Sequence, residues 1–263
     1  MTTRQMAARM INRLYSLFPR RHHLQEFRLP PGRRIYAVGD VHGRLDLFNA
    51  LIGQIEADES SREPAETTIV LLGDLVDRGP DSSGVVEAAM ALAARREVRV
   101  LKGNHEEMFE RALADQQALR HFLRVGGRET VLSYGIGEKA YRTATIEELA
   151  EMLDARVPQA HRDFIAGMEN MIALGDYLFV HAGILPGVPL AEQKTTDLRW
   201  IREPFLSHPD PFGACVVHGH TITDAVVERP NRVGIDTGAY RSGRLTAVGL
   251  QGSERWFMET TAS

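Results

Sequence analysis

Side chains able to ligate a divalent metal stand directly after a series of short apolar runs in this chain. Asp40 and His42 follow residues 34–38, and Asp74 follows residues 68–72. Asn104 follows residues 98–101, His181 follows residues 177–180, and His220 follows residues 215–217, with His218 in between. Carboxylate, amide and imidazole together form a mixed oxygen and nitrogen set suited to two divalent ions. Each run has the length and β-branched content of a buried strand, and each is followed by Gly and a short turn. Strands ending at one edge would deliver those turns into a single crevice.

The elements between these turns must bring them together. Residues 45–52 read as a helix with Leu47, Leu51 and Ile55 on one face, residues 60–67 as a polar loop, and residues 82–96 as an Ala-rich helix. Strand, helix, strand, helix, strand implies parallel pairing through right-handed crossovers. A helix over residues 106–120 continues from the third turn. Residues 121–170 read as a helical insertion close enough to the crevice to shape access, with a capping box at Thr145 and Glu148 and a helix starting at Pro158 and running through Met168. Residues 233–258 alternate between Gly turns and read as hairpin strands. The implied fold class is α/β, with two packed mixed β-sheets flanked by helices.

Pro30-Pro31-Gly32 separates a basic arm, residues 1–32, from the domain at residues 33–263. Within the arm, residues 1–25 carry Arg4, Arg9, Arg13, Arg20 and Arg21 and no acid, while Met6, Met10, Leu14 and Leu17 recur at helical spacing. A helix packed on the domain or a frayed arm competes there with an amphipathic segment that docks on an anionic membrane or a protein. His22 and His23 read as solvated, and His121 and His161 as helix-surface residues. The 263 residues are 43% hydrophobic and 25% charged, which fits one compact domain. A net charge of -4 and a pI of about 6.2 offer nucleic acid no basic field. The single Cys215 reads as a buried filler, cannot form an internal disulfide, and suits a reducing cytoplasm. No apolar stretch approaches the ~20 residues needed to cross a bilayer.

In order, the turns read Gly-Asp-x-His-Gly, Gly-Asp-x-x-Asp-Arg-Gly, Gly-Asn-His-Glu, His-Ala-Gly and Gly-His. Over residues 33–250 the chain resembles the calcineurin-like metallophosphoesterases, and more narrowly the phosphoprotein phosphatase group in its bacterial and phage form. Residues 197–202 and 234–239 look like further segments of those phosphatases. Any one of the turns would occur often by chance; their ordered combination is specific. The resemblance implies a four-layer αββα sandwich and two metal ions, manganese first, with iron and zinc as other options. It implies that Asp40 and His42 hold one ion, that Asp74 bridges, and that Asn104, His181 and His220 complete the second.

The chemistry accounts for these residue types. A phosphate monoester dianion repels a nucleophile; two close cations neutralise it and make a bridging hydroxide available near neutral pH. Because His105 directly follows Asn104, one side chain can bind metal while the other faces substrate. An imidazole near neutrality suits a general acid for the leaving alkoxide. It needs a carboxylate partner, and Asp77 is the candidate, since the matching Asp and His pair in the family. Arg78 offers a planar fork for phosphate oxygens. Arg202, matched through residues 200–202, is the second clamp, in competition with Arg199. Asn104 also borders the phosphate in this reading. His218 departs from the pattern and reads as packing or support rather than ligand. Asp236 either supports the metal loop or caps a turn.

The expected activity is dephosphorylation of phosphoserine or phosphothreonine in proteins or phosphopeptides. The alternative is a symmetrical dinucleoside tetraphosphatase or another small-molecule phosphoesterase, against which Asp77 beside Arg78 leans. A scaffold that has lost catalysis is a third reading, opposed by the full ligand set and His105.

Overall fold

The structure, a computed structural model, describes residues 26–261. The proposed amphipathic segment, with His22 and His23, lies outside the described residues. Strands β1 (Arg33–Val38), β2 (Glu66–Leu71) and β3 (Val98–Val100) lie side by side and parallel, joined by helices α1 (Leu45–Ser61) and α2 (Ser82–Arg95). The antiparallel hairpin of β9 (Arg244–Gln251) and β10 (Glu254–Thr261) completes this sheet beside β1, in the order β10-β9-β1-β2-β3. A second mixed sheet contains β4 (Met171–Leu174), β5 (Tyr177–Val180), β6 (Cys215–His218), β7 (Val227–Arg229) and β8 (Arg232–Gly234), in the order β4-β5-β6-β8-β7.

Alternation along the strands explains the layering. Ile35 and Ala37 of β1 join Val70, Phe179, Val217 and Val248 in one core between the sheets. Tyr36 and Val38, on the opposite face, pack with Leu47, Leu51 and Ile55 of α1 and with Val85 and Ala89 of α2. Leu178, Val180 and Val216 cover the far side of the second sheet with Leu198, Ile201 and Phe205. Period-two side-chain direction thus builds helices, sheet, sheet and outer cover from the same strands. Each fully buried Val, Leu, Ile or Phe contributes ~1.5–3 kcal/mol relative to exposure. Cys215 is part of the intersheet core.

Register places the turns. Val38 pairs with Leu71, and Leu71 with Val100, so the first three motif turns leave their strands at one level. The other two leave β5 and β6 in the second sheet. The crevice therefore lies where two sheets meet rather than along the edge of one.

Some elements differ from expectation. The helix expected over residues 106–120 is two helices, α3 (Asn104–Ala114) and α4 (Gln116–Phe122), because the Asp115 carboxylate accepts the Ala118 N–H at 2.7 Å and caps the second. The stretch that follows is helical, as expected: a π-turn at Leu123–Gly127, then α5 (Arg128–Ser133), α6 (Glu138–Thr143), α7 (Ile146–Arg156) and α8 (Gln159–Ala166). Thr145 and Glu148 form the expected capping box. The tail holds strands of two hairpins rather than one: β8 pairs with β7 in the second sheet, and β9 with β10 in the first. The arm boundary at residue 32 also falls too late, since Phe27 and Leu29 are buried in the intersheet core. His161 is not a surface residue: it is buried, 3.0 Å from both the Tyr134 hydroxyl and Glu87. No helix of the described residues is long and apolar enough to cross a membrane.

Candidate active site

The backbone of the site is strained in a consistent way. Among the described residues, the non-glycine positions with left-handed φ are His42 (46°), Asp74 (50°), Asp77 (74°), Arg78 (70°) and His220 (62°). Such conformations cost ~1–3 kcal/mol each and persist only when the surroundings over-determine them. Glu106, at the start of α3, supplies much of that determination. Its buried carboxylate accepts the N–H groups of Asp74 (2.8 Å), Leu75 (2.7 Å), Val76 (3.3 Å) and Gly103 (2.9 Å), tying the turn after β2 to the turn after β3. Gly103 permits this approach, because a Cβ there would lie 2.1 Å from Asp74 Oδ1.

Electron-pair donors converge inside these turns. His42 Nδ1 donates to the Val76 carbonyl at 2.8 Å, which leaves Nε2 facing Asp74 Oδ2 at 3.6 Å. His181 Nδ1 donates to the Leu72 carbonyl at 2.8 Å, leaving Nε2 3.4 Å from Asp74 Oδ1 and 3.0 Å from Asn104 Oδ1. His220 Nδ1 lies 2.8 Å from the same Asn104 oxygen. The potential ligand atoms fall into two buried groups sharing Asp74, within 4.8 Å of one another in each: His42, Asp74 and His105, and Asp74, His181 and His220. Asp40 stands outside both groups; its carboxylate accepts the His220 N–H at 3.0 and 3.2 Å.

Charge in this cluster is unbalanced in the way a cation would correct. Burial, then the neighbouring Asp236 and Asp74 carboxylates, raise the Asp40 carboxyl well above its ordinary range. Burial pulls His42 and His220 down to about 3, so both rings present lone pairs at neutral pH. Burial alone would raise Asp74, but the ring of imidazoles, His181 first, brings it below the usual range. Two imidazoles fixed by backbone carbonyls, a third beside the Asn104 amide oxygen, and a central carboxylate fit two divalent ions.

His105 projects from the first turn of α3 beside this cluster, its ring 4.7 Å from that of His42. Its Nδ1 lies 2.6 Å from Asp77 Oδ2. Burial opposes a charged imidazole there, yet the Asp74 charge and the Asp77 hydrogen bond outweigh it and raise the His105 pKa. Asp77 is itself held from the helical insertion. Thr130 Oγ1 of α5 donates to Asp77 Oδ1 at 2.6 Å, while the Asp77 N–H donates to Ser82 Oγ and Thr130 Oγ1, each at 2.9 Å. The insertion also accepts the Arg78 N–H through the Gly126 carbonyl at 3.0 Å. It therefore braces the site as well as bordering it.

A cleft of about 550 Å³ opens over these groups, lined by Arg78, His105, Trp200, Arg202 and Tyr240 among others. His121, exposed on α4, and Val125 border it from the insertion. Arg78 packs its guanidinium over the Tyr240 ring at 4.9 Å and places one nitrogen 2.8 Å from His42 Nε2. Arg202 faces the cleft, whereas Arg199 does not line it and is held by Glu107 and Asn170. His218 joins neither ligand group: it is buried, its Nδ1 3.0 Å from the Gly219 carbonyl oxygen. Asp236 accepts the Gly238 N–H at 2.9 Å, which makes it a turn cap, and stands beside Asp40 as well. Sequence reasoning missed the roles of Glu106, Thr130 and Tyr240. Only Glu106 carried a signal, as the last residue of the Gly-Asn-His-Glu motif.

With this geometry established, comparisons with known proteins become specific. The profile of the calcineurin-like phosphoesterase family matches residues 33–239. Serine/threonine-protein phosphatase 1 of Salmonella typhimurium is 30% identical over 224 residues, covering 83% of this chain and 93% of that protein. A symmetrical bis(5'-nucleosyl)-tetraphosphatase of Neisseria meningitidis is 30% identical over 151 residues, covering 57% of this chain but 44% of that protein. A solved structure described provisionally as a diadenosine tetraphosphatase superposes with a TM-score of 0.63 at 20% identity, over 89% of this chain and 97% of that one, which bears on fold alone. The profile match and the Salmonella relative bear on ancestry, and by both this chain belongs to the calcineurin-like phosphoesterase family.

Proposed function

We propose that this chain is a phosphomonoesterase dependent on two divalent cations, preferentially manganese, and that it dephosphorylates phosphoserine or phosphothreonine in proteins. Asp40, His42 and Asp74 would hold one cation, and Asp74, Asn104, His181 and His220 the other. When bound, the cations supply Lewis acidity and an activated water. The observation that carries the reading is the buried hydrogen bond of 2.6 Å between His105 and Asp77 at the floor of the cleft. A seryl or threonyl alkoxide is a poor leaving group and must gain a proton as its bond to phosphorus breaks. With Nδ1 engaged by Asp77, the other ring nitrogen of His105 is the one available to give that proton. Arg78 and Arg202 orient the phosphoryl oxygens. A dinucleoside polyphosphate expels a nucleoside phosphate instead, whose phosphoryl oxygen leaves without such help.

The similarity to tetraphosphatases keeps that substrate as the second reading. The discriminating experiment compares turnover of phosphopeptides and of diadenosine tetraphosphate by metal-stripped protein reloaded with Mn²⁺. Faster hydrolysis of the phosphopeptide, by kcat/KM, is expected. Preference for the dinucleotide would overturn the assignment.

A further inference from the structure

A second cavity of about 200 Å³ is lined by Leu206, His218, Thr221, Val227, Arg229 and Arg232 among others. Thr221 lines both the cleft and this cavity, so the two adjoin. The unusual feature is Arg232, which is only 6% exposed. Among the described residues it forms no ion pair, and its Nε has no hydrogen-bond partner. Its surroundings offer little compensation. Phe205 lies beneath the guanidinium at 5.9 Å; Glu203 acts on its charge without forming an ion pair with it, and Glu228, the acid next to Arg229, is engaged by Arg255 at 3.0 Å. Two more buried polar atoms lack partners in the same wall: Thr221 Oγ1 and His218 Nε2. An arginine buried to this degree without an ion pair is costly, because most of its solvation is lost.

We propose that this cavity is an oxyanion site that takes inorganic phosphate, distinct from the phosphoryl position over the metal cluster. Arg232, with Arg229 at the exposed rim, would donate to the phosphate oxygens, and the free Thr221 hydroxyl would add a further donor. His218 contributes differently. Its Nδ1 donates to the Gly219 carbonyl, so Nε2 is left as an acceptor. Hydrogen phosphate carries a P–OH that can donate to Nε2 while its other oxygens accept from the arginines; sulfate carries no such proton near neutral pH. The volume is below the ~300–1,000 Å³ of sites for larger organic ligands, in keeping with a small ion. The proposal is independent of which ester the metal cleft cleaves.

Equilibrium dialysis of the metal-loaded protein against radiolabelled inorganic phosphate tests it. Two phosphates per chain are expected at saturation. Arg232→Gln should weaken the second by ~10–100-fold, the loss expected for a charge-assisted hydrogen bond. Should that buried substitution unfold the chain, Arg229→Glu at the exposed rim decides the matter, with a loss of the same sign. Asp74→Asn should lose the cleft phosphate and keep the second one. Sulfate should compete poorly at the second site. A single phosphate per chain in the unsubstituted protein, or two retained in a folded Arg232→Gln or Arg229→Glu variant, would overturn the site. Sulfate displacing the second phosphate as well as phosphate itself would overturn the role of His218 as acceptor.

Discussion

At the residue scale, neighbouring side chains face different partners. Asn104 and His105 adjoin in the chain, yet Asn104 Oδ1 faces His181 and His220 while His105 Nδ1 faces Asp77. If His105 is the acid, His105→Asn should damage phosphopeptide hydrolysis far more than hydrolysis of para-nitrophenyl phosphate, whose phenolate leaves without a proton. General acids contribute ~10²–10⁴-fold, and the gap between the two substrates should approach that range. Asp77→Asn should give a smaller gap of the same sign, since it only orients and charges the imidazole. Equal losses on both substrates at unchanged metal content would assign the acid elsewhere. Asp74 belongs to both ligand groups, so Asp74→Asn should lose both ions and nearly all turnover while the chain stays folded. Elemental analysis that finds two metals retained would contradict the shared position.

At the scale of elements, α3 and the insertion hold the left-handed turn after β2 in a conformation it would otherwise leave. Glu106 accepts N–H groups from two turns at once. Glu106→Gln keeps its shape but presents an amide donor where only donors face it. A buried group left unsatisfied costs ~1–3 kcal/mol. The expected result is a lower denaturant midpoint together with weaker metal retention, read by urea titration and by chelator challenge. A variant with unchanged midpoint and metal affinity would show that the left-handed turns are held by other contacts. Within the insertion, Thr130 and Gly126 matter because they touch Asp77 and Arg78, not because of helix formation as such.

For the whole molecule, the two sheets share one core, and residues ahead of β1 contribute to it. Phe27 lies 6.2 Å from Tyr177, ring to ring, and Leu29 donates its N–H to Gly252. Removing residues 1–25 should leave turnover of a small aryl phosphate nearly intact, since no proposed ligand or clamp lies there. Removing residues 1–32 should also lower stability, because truncating a buried Leu or Phe typically costs ~2–5 kcal/mol. Denaturant melts of both truncations, run beside aryl phosphate assays, check this. Equal stability of the two would place Phe27 and Leu29 outside the cooperative unit, and a large activity loss in the shorter truncation without unfolding would implicate the arm in the site.

Much of this architecture was legible in the residues. Apolar runs of strand length ending in Gly and a ligand-type side chain are local signals, and so are the caps at Thr145 and Pro158. The family resemblance rested on the same turns. What sequence alone left open depends on contacts between distant segments. Arg202 and Arg199 are equivalent as residue types, and only the packing of Glu107 and Asn170 turns Arg199 aside. His161 reads as a surface helix position until Tyr134 and Glu87 close over it. The Asp40 carboxylate, the brace from Thr130 and the unpartnered Arg232 likewise have their meaning only once two sheets and an insertion meet. Periodicity and residue chemistry specify elements and candidate ligands because they act over a few residues. Which polar atoms share a cavity is decided by long-range packing, where burial makes each missing or gained partner worth kilocalories.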